Sequence, residues 1–476
     1  MAASTWVVVA NCKIPELEGI STRLDVDRFH LYHQGLELPT SVLPSFDVDV
    51  RTMRAAASDH LPYSAPRMAH TSIRLDDDVV AVATSAFNED PVYTASGRLN
   101  GRFAYFTDLF LAPLILPSLG LPVVQRHVAA APVEDETLIE HVRRVSYNTV
   151  QETRRTSRGW VTRTVHGDDP LNRYWRPTRH NPMRAGNDQL HALRQVIGDY
   201  AAASPHTAFT TLLSGGIDSG AVTFLAAELG LPVVACSVGS PWGNEFEGAR
   251  QLAGLAGVEL VEAELSEDAF VRAIPDTVRW LGGIAPEVVE VALTATAVHR
   301  DGVLPADRAL LTGYGSDLIN AGLYSPYDSD KELIAQVLEA VHRTRFTEEL
   351  NSRSALAHGR PVFHPFWEWP VMKVALETAP GCKVREGREK FHLRTAFNAS
   401  VPYEVAWRQK IAVHHGGGLQ AGVARRLAAD TGHDDRRRVY HHCFALLLER
   451  AADGHLDDWE SEDIYERAAH AAKATL

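Results

Sequence analysis

The sequence predicts an α/β protein in two parts, with a parallel sheet flanked by helices behind a sheet-rich antiparallel first part. Three observations carry this. Past residue 190, apolar runs of strand length alternate with apolar patterns of helical period, as in βαβ units. Before about residue 170 the chain shows only short strand-like runs separated by turn residues. Between them, "HGDDPLNRYWRPTRHNPMRAGND" (166–188) has no periodicity and is rich in Pro, Asn, Asp, Gly and Arg, which marks a linker.

The strand-like runs of the first part include 6–10, 79–84 and 102–107. In the second part, Leu190, Leu193, Val196, Ile197 and Tyr200 fall on one helical face, with Asn187 and Asp188 placed to cap it. A strand over 208–213, a helix over 220–229 and a strand over 231–238 follow. Next come a helix with Phe246, Ala249, Leu252, Ala253 and Ala256 on one face, then strands at 258–263 and 309–312. From about residue 345 the chain reads mainly as helix.

With 476 residues the chain exceeds one ordinary core, which agrees with two domains. Hydrophobic residues make up 45% and charged residues 22%, a globular composition. The net charge of −13 disfavours nucleic acid and anionic membranes as partners. The four cysteines (Cys12, Cys236, Cys382, Cys443) are scattered without a CxxC pair, which suits a reducing compartment better than disulfides or zinc. There is no basic, apolar leader and no apolar run of membrane-spanning length, so a cytoplasmic protein is expected.

The densest chemistry lies in "TLLSGGIDSG" (211–220), directly behind a strand-like run. In a parallel sheet ligands bind at the carboxyl ends of strands. There Ser214, Gly215, Gly216 and Ser219 offer backbone N–H groups and hydroxyls to an anion, helped by the following helix N-terminus. Asp218 in such a nest makes sense with a cation between, which makes it a candidate Mg²⁺ ligand. The plainer reading is a glycine-rich βα turn with a capping serine. Neither a GKS/GKT nor a GxGxxG pattern is present.

"SGGIDS" (214–219) resembles the PP-loop of the ATP pyrophosphatases, which cleave ATP to AMP and pyrophosphate while adenylating a substrate. Further segments are similar to the asparagine synthetases and their relatives: "SVGSPWGNEFEGARQLAGLAG" (237–257) and "LLTGYGSDLINAGL" (310–323), both in the β-lactam synthetase form, then "HPFWE" (364–368), "GREKFHLRTAF" (387–397) and "RQKIAVHHGGG" (408–418). The resemblance covers residues 187 to about 425. It implies a C-terminal PP-loop ATP pyrophosphatase domain (187–476) behind a degenerate N-terminal-nucleophile-type α+β domain (1–175).

"SGRLNGRFAYF" (96–106) resembles the glutamine-amidotransferase domain of that family, whose nucleophile is a cysteine exposed as first residue. Here Ala2 follows Met1, and Cys12 reads as a structural cysteine. β-Lactam synthetases show the same loss, so no glutaminase is expected.

The resemblance also implies roles for single residues. Asp218 and Asp317 match the two metal-binding acids, and Lys390 a lysine on the phosphates. Main chain at Leu213, Val238 and Gly313 matches the adenine-binding positions. Tyr314 and Glu349 match a Tyr–Glu proton relay, with Glu348 as the rival glutamate, and Lys410 matches a lysine that stabilises acyl-adenylate and oxyanion. His414 and His415 read as surface histidines of a mobile loop. Gly220 departs from the family, which often carries a second hydroxyl there.

The expected protein is an ATP- and Mg²⁺-dependent, AMP-forming carbon–nitrogen ligase of specialised metabolism. It would take an amino-acid-like substrate and close it to a β-lactam. Transfer to a separate amine or ammonia is an alternative, an inactive ATP-binding scaffold another, and a homodimer is among the assemblies this reading allows.

Overall fold

Every side chain of β1 (Trp6–Ala10) is buried, because both faces of its sheet are covered. Successive strand residues point to opposite faces. Val7 and Val9 join an apolar cluster with Phe29, Leu31, Ile73, Leu75, Val80 and Val82. Trp6, Val8 and Ala10 join another with Phe110, Leu114, Val278 and Phe444. The computed structural model describes residues 5–26, 28–35, 46–49, 54–57, 71–76, 78–86, 90–97, 101–126, 134–167, 176–304, 307–347, 360–409, 418–456 and 458–474.

Among them the strands form three sheets. The remaining strands of the first part are β2 (Thr22–Val26), β3 (Phe29–Gln34), β4 (Phe46–Asp49), β5 (Arg54–Ala57), β6 (Ser72–Asp76), β7 (Val79–Ala83), β8 (Tyr93–Ser96), β9 (Phe103–Phe106), β10 (Arg143–Arg144), β11 (Thr149–Thr156) and β12 (Gly159–His166). They make two six-stranded antiparallel sheets, ordered β10-β8-β9-β1-β3-β2 and β12-β11-β7-β6-β4-β5. The first-named cluster lies between them.

The third sheet is parallel: β15 (Glu259–Glu264), β14 (Val233–Gly239), β13 (Phe209–Leu212), β16 (Ala309–Leu311) and β17 (Val362–Phe363), in that order. Helices cover both faces. Ala309 and Leu311 pack on one side among helices Pro182–Ala203, Ile217–Glu228 and Trp369–Glu377, while Leu310 packs on the other with helices Glu267–Leu281 and Arg436–Ala452. The runs of β14 (VVACSVG) and β16 (ALL) are accordingly mostly apolar, whereas β13 (FTTL) carries two buried threonines and the edge strand β15 (ELVEAE) exposes glutamates. Strand order runs outward from β13 to β15, then restarts on the other side of β13 with β16. That reversal opens a crevice at the carboxyl ends of β13 and β16.

Several boundaries shift by one to three residues, the helix read over 220–229 beginning at Ile217, and two differences from the sequence reading go further. The helix expected to start after Asn187 and Asp188 begins at Pro182, inside the segment read as linker. Asn181 caps it, its side chain accepting from the Arg184 N–H at 3.0 Å, with proline at the first helical position. Gly186 lies in its first turns because helix Phe391–Phe397 crosses so closely; a Cβ there would stand 2.1 Å from the His392 carbonyl oxygen. Strand β17 falls in a region read as helical. Two residues are too few for any periodicity, and pairing of Val362 with Leu310 defines it.

The two parts share core. First-part residues pack with Phe270, Ile274 and Tyr440 of the second in one cluster. Through it runs a buried bidentate pair, Arg279 to Asp108, at 2.8 and 2.7 Å. No single helix among the described residues is long and apolar enough to cross a membrane.

Candidate functional site

The loop after β13 folds back on itself through its serines. Ser214 N–H donates to Ser219 Oγ at 3.1 Å, the two hydroxyls are 3.1 Å apart, and Gly216 N–H reaches Ser214 Oγ at 3.4 Å. Helix Ile217–Glu228 starts from Gly216 without a side-chain cap, and its first turn lines the cavity at the sheet's carboxyl edge. An uncapped helix N-terminus presents backbone donors and positive dipole to an anion. Neither glycine has positive φ, so tight turning is not what they supply. A Cβ on Gly215 would lie 2.8 Å from Arg408 Nη1 and 2.9 Å from Gly248 Cα. The glycine lets the helix Phe246–Ala256 and an arginine close on the loop.

Gly220 does not remove a phosphate donor. Its Cβ position faces Leu252, whose Cδ1 would be 3.1 Å away, and its N–H is already given to Gly216 O at 3.1 Å. A hydroxyl there would enter the core behind the loop.

Asp218, Asp317 and Lys390 come together across 172 and 73 residues of chain. The fully buried Lys390 ammonium bonds Asp218 Oδ2 and lies 2.6 Å from Asp317 Oδ1. Burial works to lower its pKa, but the two carboxylates outweigh that and hold it above its ordinary value. Asp218 Oδ1 accepts from Ser316 Oγ at 2.6 Å. Gly322 keeps the space open: a Cβ would stand 2.1 Å from Asp317 Oδ1 and 2.7 Å from Lys390 Cε. Two converging carboxylates are hard oxygen donors of the kind Mg²⁺ uses when it also keeps waters and phosphate oxygens, so these residues fit that ion.

The crevice widens into a cavity of about 1130 Å³. Leu213, Val238 and Gly313 line it, as do Ser214, Ser219, Asp218 and Asp317. Leu213 N–H donates to Cys236 O at 2.8 Å. Gly313 is jammed against the loop, since a Cβ would come within 2.6 Å of Ser219 N. Tyr314 stands on the cavity wall after β16, its ring 5.7 Å from that of His364, whose Nδ1 is 2.6 Å from Thr312 Oγ1. Tyr93, Glu136 and Arg144 of the first part and Val288, Val291 and Ala295 of helix Pro286–Arg300 form other walls. Glu349, its rival Glu348, Lys410, His414 and His415 lie outside the described residues.

Two cavity residues went unremarked in the sequence. His364 was seen there only within the HPFWE segment; it follows β17, and recognising that strand would have put it at a carboxyl end, where ligands bind. Arg408 brings a cation to the loop and also bonds Gln251 Oε1. Its motif was seen, but nothing local distinguishes it from a surface arginine.

No cysteine is activated. Burial raises the pKa of Cys12, against the opposing charge of Arg102, and of Cys382 and Cys443, and pushes that of Cys236, on the cavity wall, up to about 11. A nucleophilic thiol needs the opposite shift.

The family model described as asparagine synthase matches residues 206–337 and 329–472. The carboxyethyl-arginine beta-lactam-synthase of Streptomyces clavuligerus is 26% identical over 315 residues, 64% of this chain and 60% of the relative. The match thus spans less than two thirds of that protein's length. Among solved structures, NMN synthetase from Francisella tularensis is 13% identical, with 62% of this chain and 96% of that one covered at a TM-score of 0.27. NAD+ synthetase from Burkholderia pseudomallei is 11% identical, with 54% and 94% covered at a TM-score of 0.22. Likeness at that level bears on neither substrate nor mechanism.

Proposed function

This chain belongs to the asparagine synthase family, and we propose that it is an ATP-dependent, AMP-forming ligase that closes a β-amino acid to a β-lactam. The observation that carries the reading is the convergence of an uncapped helix N-terminus, the Asp218–Lys390–Asp317 cluster and Tyr314 on one cavity. The loop's N–H groups and Ser214 and Ser219 hold the phosphates. Lys390 keeps a fixed positive charge beside them, ready for the negative charge that builds on departing pyrophosphate. Mg²⁺ held by Asp218 and Asp317 would add a second neutralising charge at that leaving group.

Acyl transfer then needs the attacking amine to lose a proton. Tyr314 is set to relay it, with Glu349 as the carboxylate that orients the phenol and Lys410 as the charge on the developing oxyanion. The relative's β-lactam-forming name supports closure within one molecule, and the raised thiols support a protein that does not hydrolyse glutamine. The first-part residues in the cavity wall then act as substrate walls.

The test is incubation with ATP, Mg²⁺ and a panel of β-amino acids, reading nucleotide and product mass. AMP, pyrophosphate and a product one water lighter than the acid are expected. ADP as product would overturn the reading. A product enlarged by a second amine would replace closure by intermolecular coupling.

A further inference from the structure

A chain of buried side chains runs from His392 to Asp218. His392 Nε2 is 2.9 Å from Gln189 Oε1, and Gln189 Nε2 donates to Asn320 Oδ1 at 3.1 Å. Asn320 Nδ2 donates to Ser316 Oγ at 3.1 Å, and Ser316 Oγ donates to Asp218 Oδ1 at 2.6 Å. His392, Gln189, Asn320 and Ser316 are all fully buried. In such surroundings each link is costly to break, because the freed groups have no water to turn to.

The links share one direction. A hydroxyl has a single proton, and at 2.6 Å from a carboxylate oxygen Ser316 gives it to Asp218. Its lone pair must then accept from the Asn320 amide. That fixes Asn320, whose Oδ1 accepts from Gln189 Nε2, and turns Gln189 Oε1 toward His392 Nε2.

The same short stretch of chain holds the other Asp218 oxygen. Lys390, two residues before His392, bonds Oδ2 directly. The helix Pro182–Ala203, the turn at 316–320, the 390–392 segment and the loop after β13 are thereby tied into one ring with Asp218 as its clasp.

We propose that His392, Gln189 and Asn320 are positioning residues, acting through Ser316 to hold the Asp218 carboxylate in the orientation that receives a divalent cation with the nucleotide. This rests on the reading of Asp218 given above. The variants Gln189→Met, which keeps length but donates nothing, and Ser316→Ala, which removes only the last link, test it. Mn²⁺ binding in the presence of α,β-methylene-ATP is followed by electron paramagnetic resonance, alongside the Mg²⁺ dependence of pyrophosphate release.

Both variants are expected to weaken the cation midpoint about tenfold, the worth of a hydrogen bond to a charged group. Pyrophosphate release at saturating Mg²⁺ should stay within about threefold. Wild-type-like Mn²⁺ binding in Ser316→Ala would overturn the positioning role and leave the ligase reading intact. Failure of the wild-type protein to bind Mn²⁺ with the nucleotide would overturn both. Should Gln189→Met not fold, Ser316→Ala decides alone.

Discussion

Lys390 Nζ lies 2.6 Å from Asp317 Oδ1 and bonds Asp218 at the same time, so one buried ammonium bridges acids from two different βα turns. Alone the cluster carries one net negative charge, which suits a divalent cation and an anionic leaving group arriving together. Replacing Lys390 by Met leaves two carboxylates facing each other without the ammonium between them. The expected costs are about 3–5 kcal/mol of stability and about 10²–10³-fold in pyrophosphate release, read by urea unfolding and a pyrophosphate assay. The variant should also gain stability as pH falls toward the carboxylate range, since protonation relieves the repulsion. In the wild type Lys390's contribution is complete below its ordinary value of 10.5 and fades only at higher pH.

Tyr314→Phe separates the two chemical steps. The ring remains beside His364, so the fold should be unchanged, while the phenol proton is lost. Product formation is expected to fall about 10²–10⁴-fold, with exchange of labelled pyrophosphate into ATP retained. Full product turnover would remove Tyr314 from proton transfer.

Two glycines of the loop region should respond differently. Gly313→Ala puts a methyl group against the Ser219 backbone and should abolish nucleotide binding by displacing the loop. Gly220→Ser pushes on Leu252 instead, costing about 1–3 kcal/mol in stability with no gain in ATP affinity. Thermal unfolding with and without ATP distinguishes the pair, and tighter ATP binding by the serine variant would contradict this geometry.

Lys383 provides a pH signature. It is fully buried, donates to the Ile319 carbonyl, and desolvation pushes its pKa down to about 7 from 10.5. Between those values the unfolded chain holds a proton that the folded one has released, so stability rises with pH across that window and is lost as pH falls through it. Lys383→Met should flatten the dependence by up to one proton, about 1.4 kcal/mol per pH unit. Equal slopes in urea titrations of the two proteins would refute the assignment.

The Arg279–Asp108 pair joins the two parts inside their shared core, with the guanidinium 4.8 Å from the Phe110 ring centre. Arg279→Ala strands a buried carboxylate and should cost about 3–5 kcal/mol. Joint replacement, Arg279→Met with Asp108→Leu, should cost clearly less. Denaturant midpoints of single and double variants check this.

The alternation of β13 to β16 with their helices was legible because short segments rich in Val, Leu and Ala alternate with stretches of helical period. The loop at 214–219 was equally legible, since its glycines, serines and acid are neighbours in the chain. The loop's own chemistry singled out Asp218, and the resemblance to the asparagine synthetases added Asp317 and Lys390. What they do to one another was decided by folding, which brings the lysine between the acids and makes it a buried bridge. Packing likewise turned Gly220 toward Leu252, drew Arg408 onto Gly215, made a two-residue strand that delivers His364, and threaded Gln189 between His392 and Asn320. Periodicity and turn chemistry report a residue's neighbours within a few positions. Partners a hundred or more residues apart are selected only when helices and strands close on each other, and there the direction of a single Cβ or amide settles which contact forms.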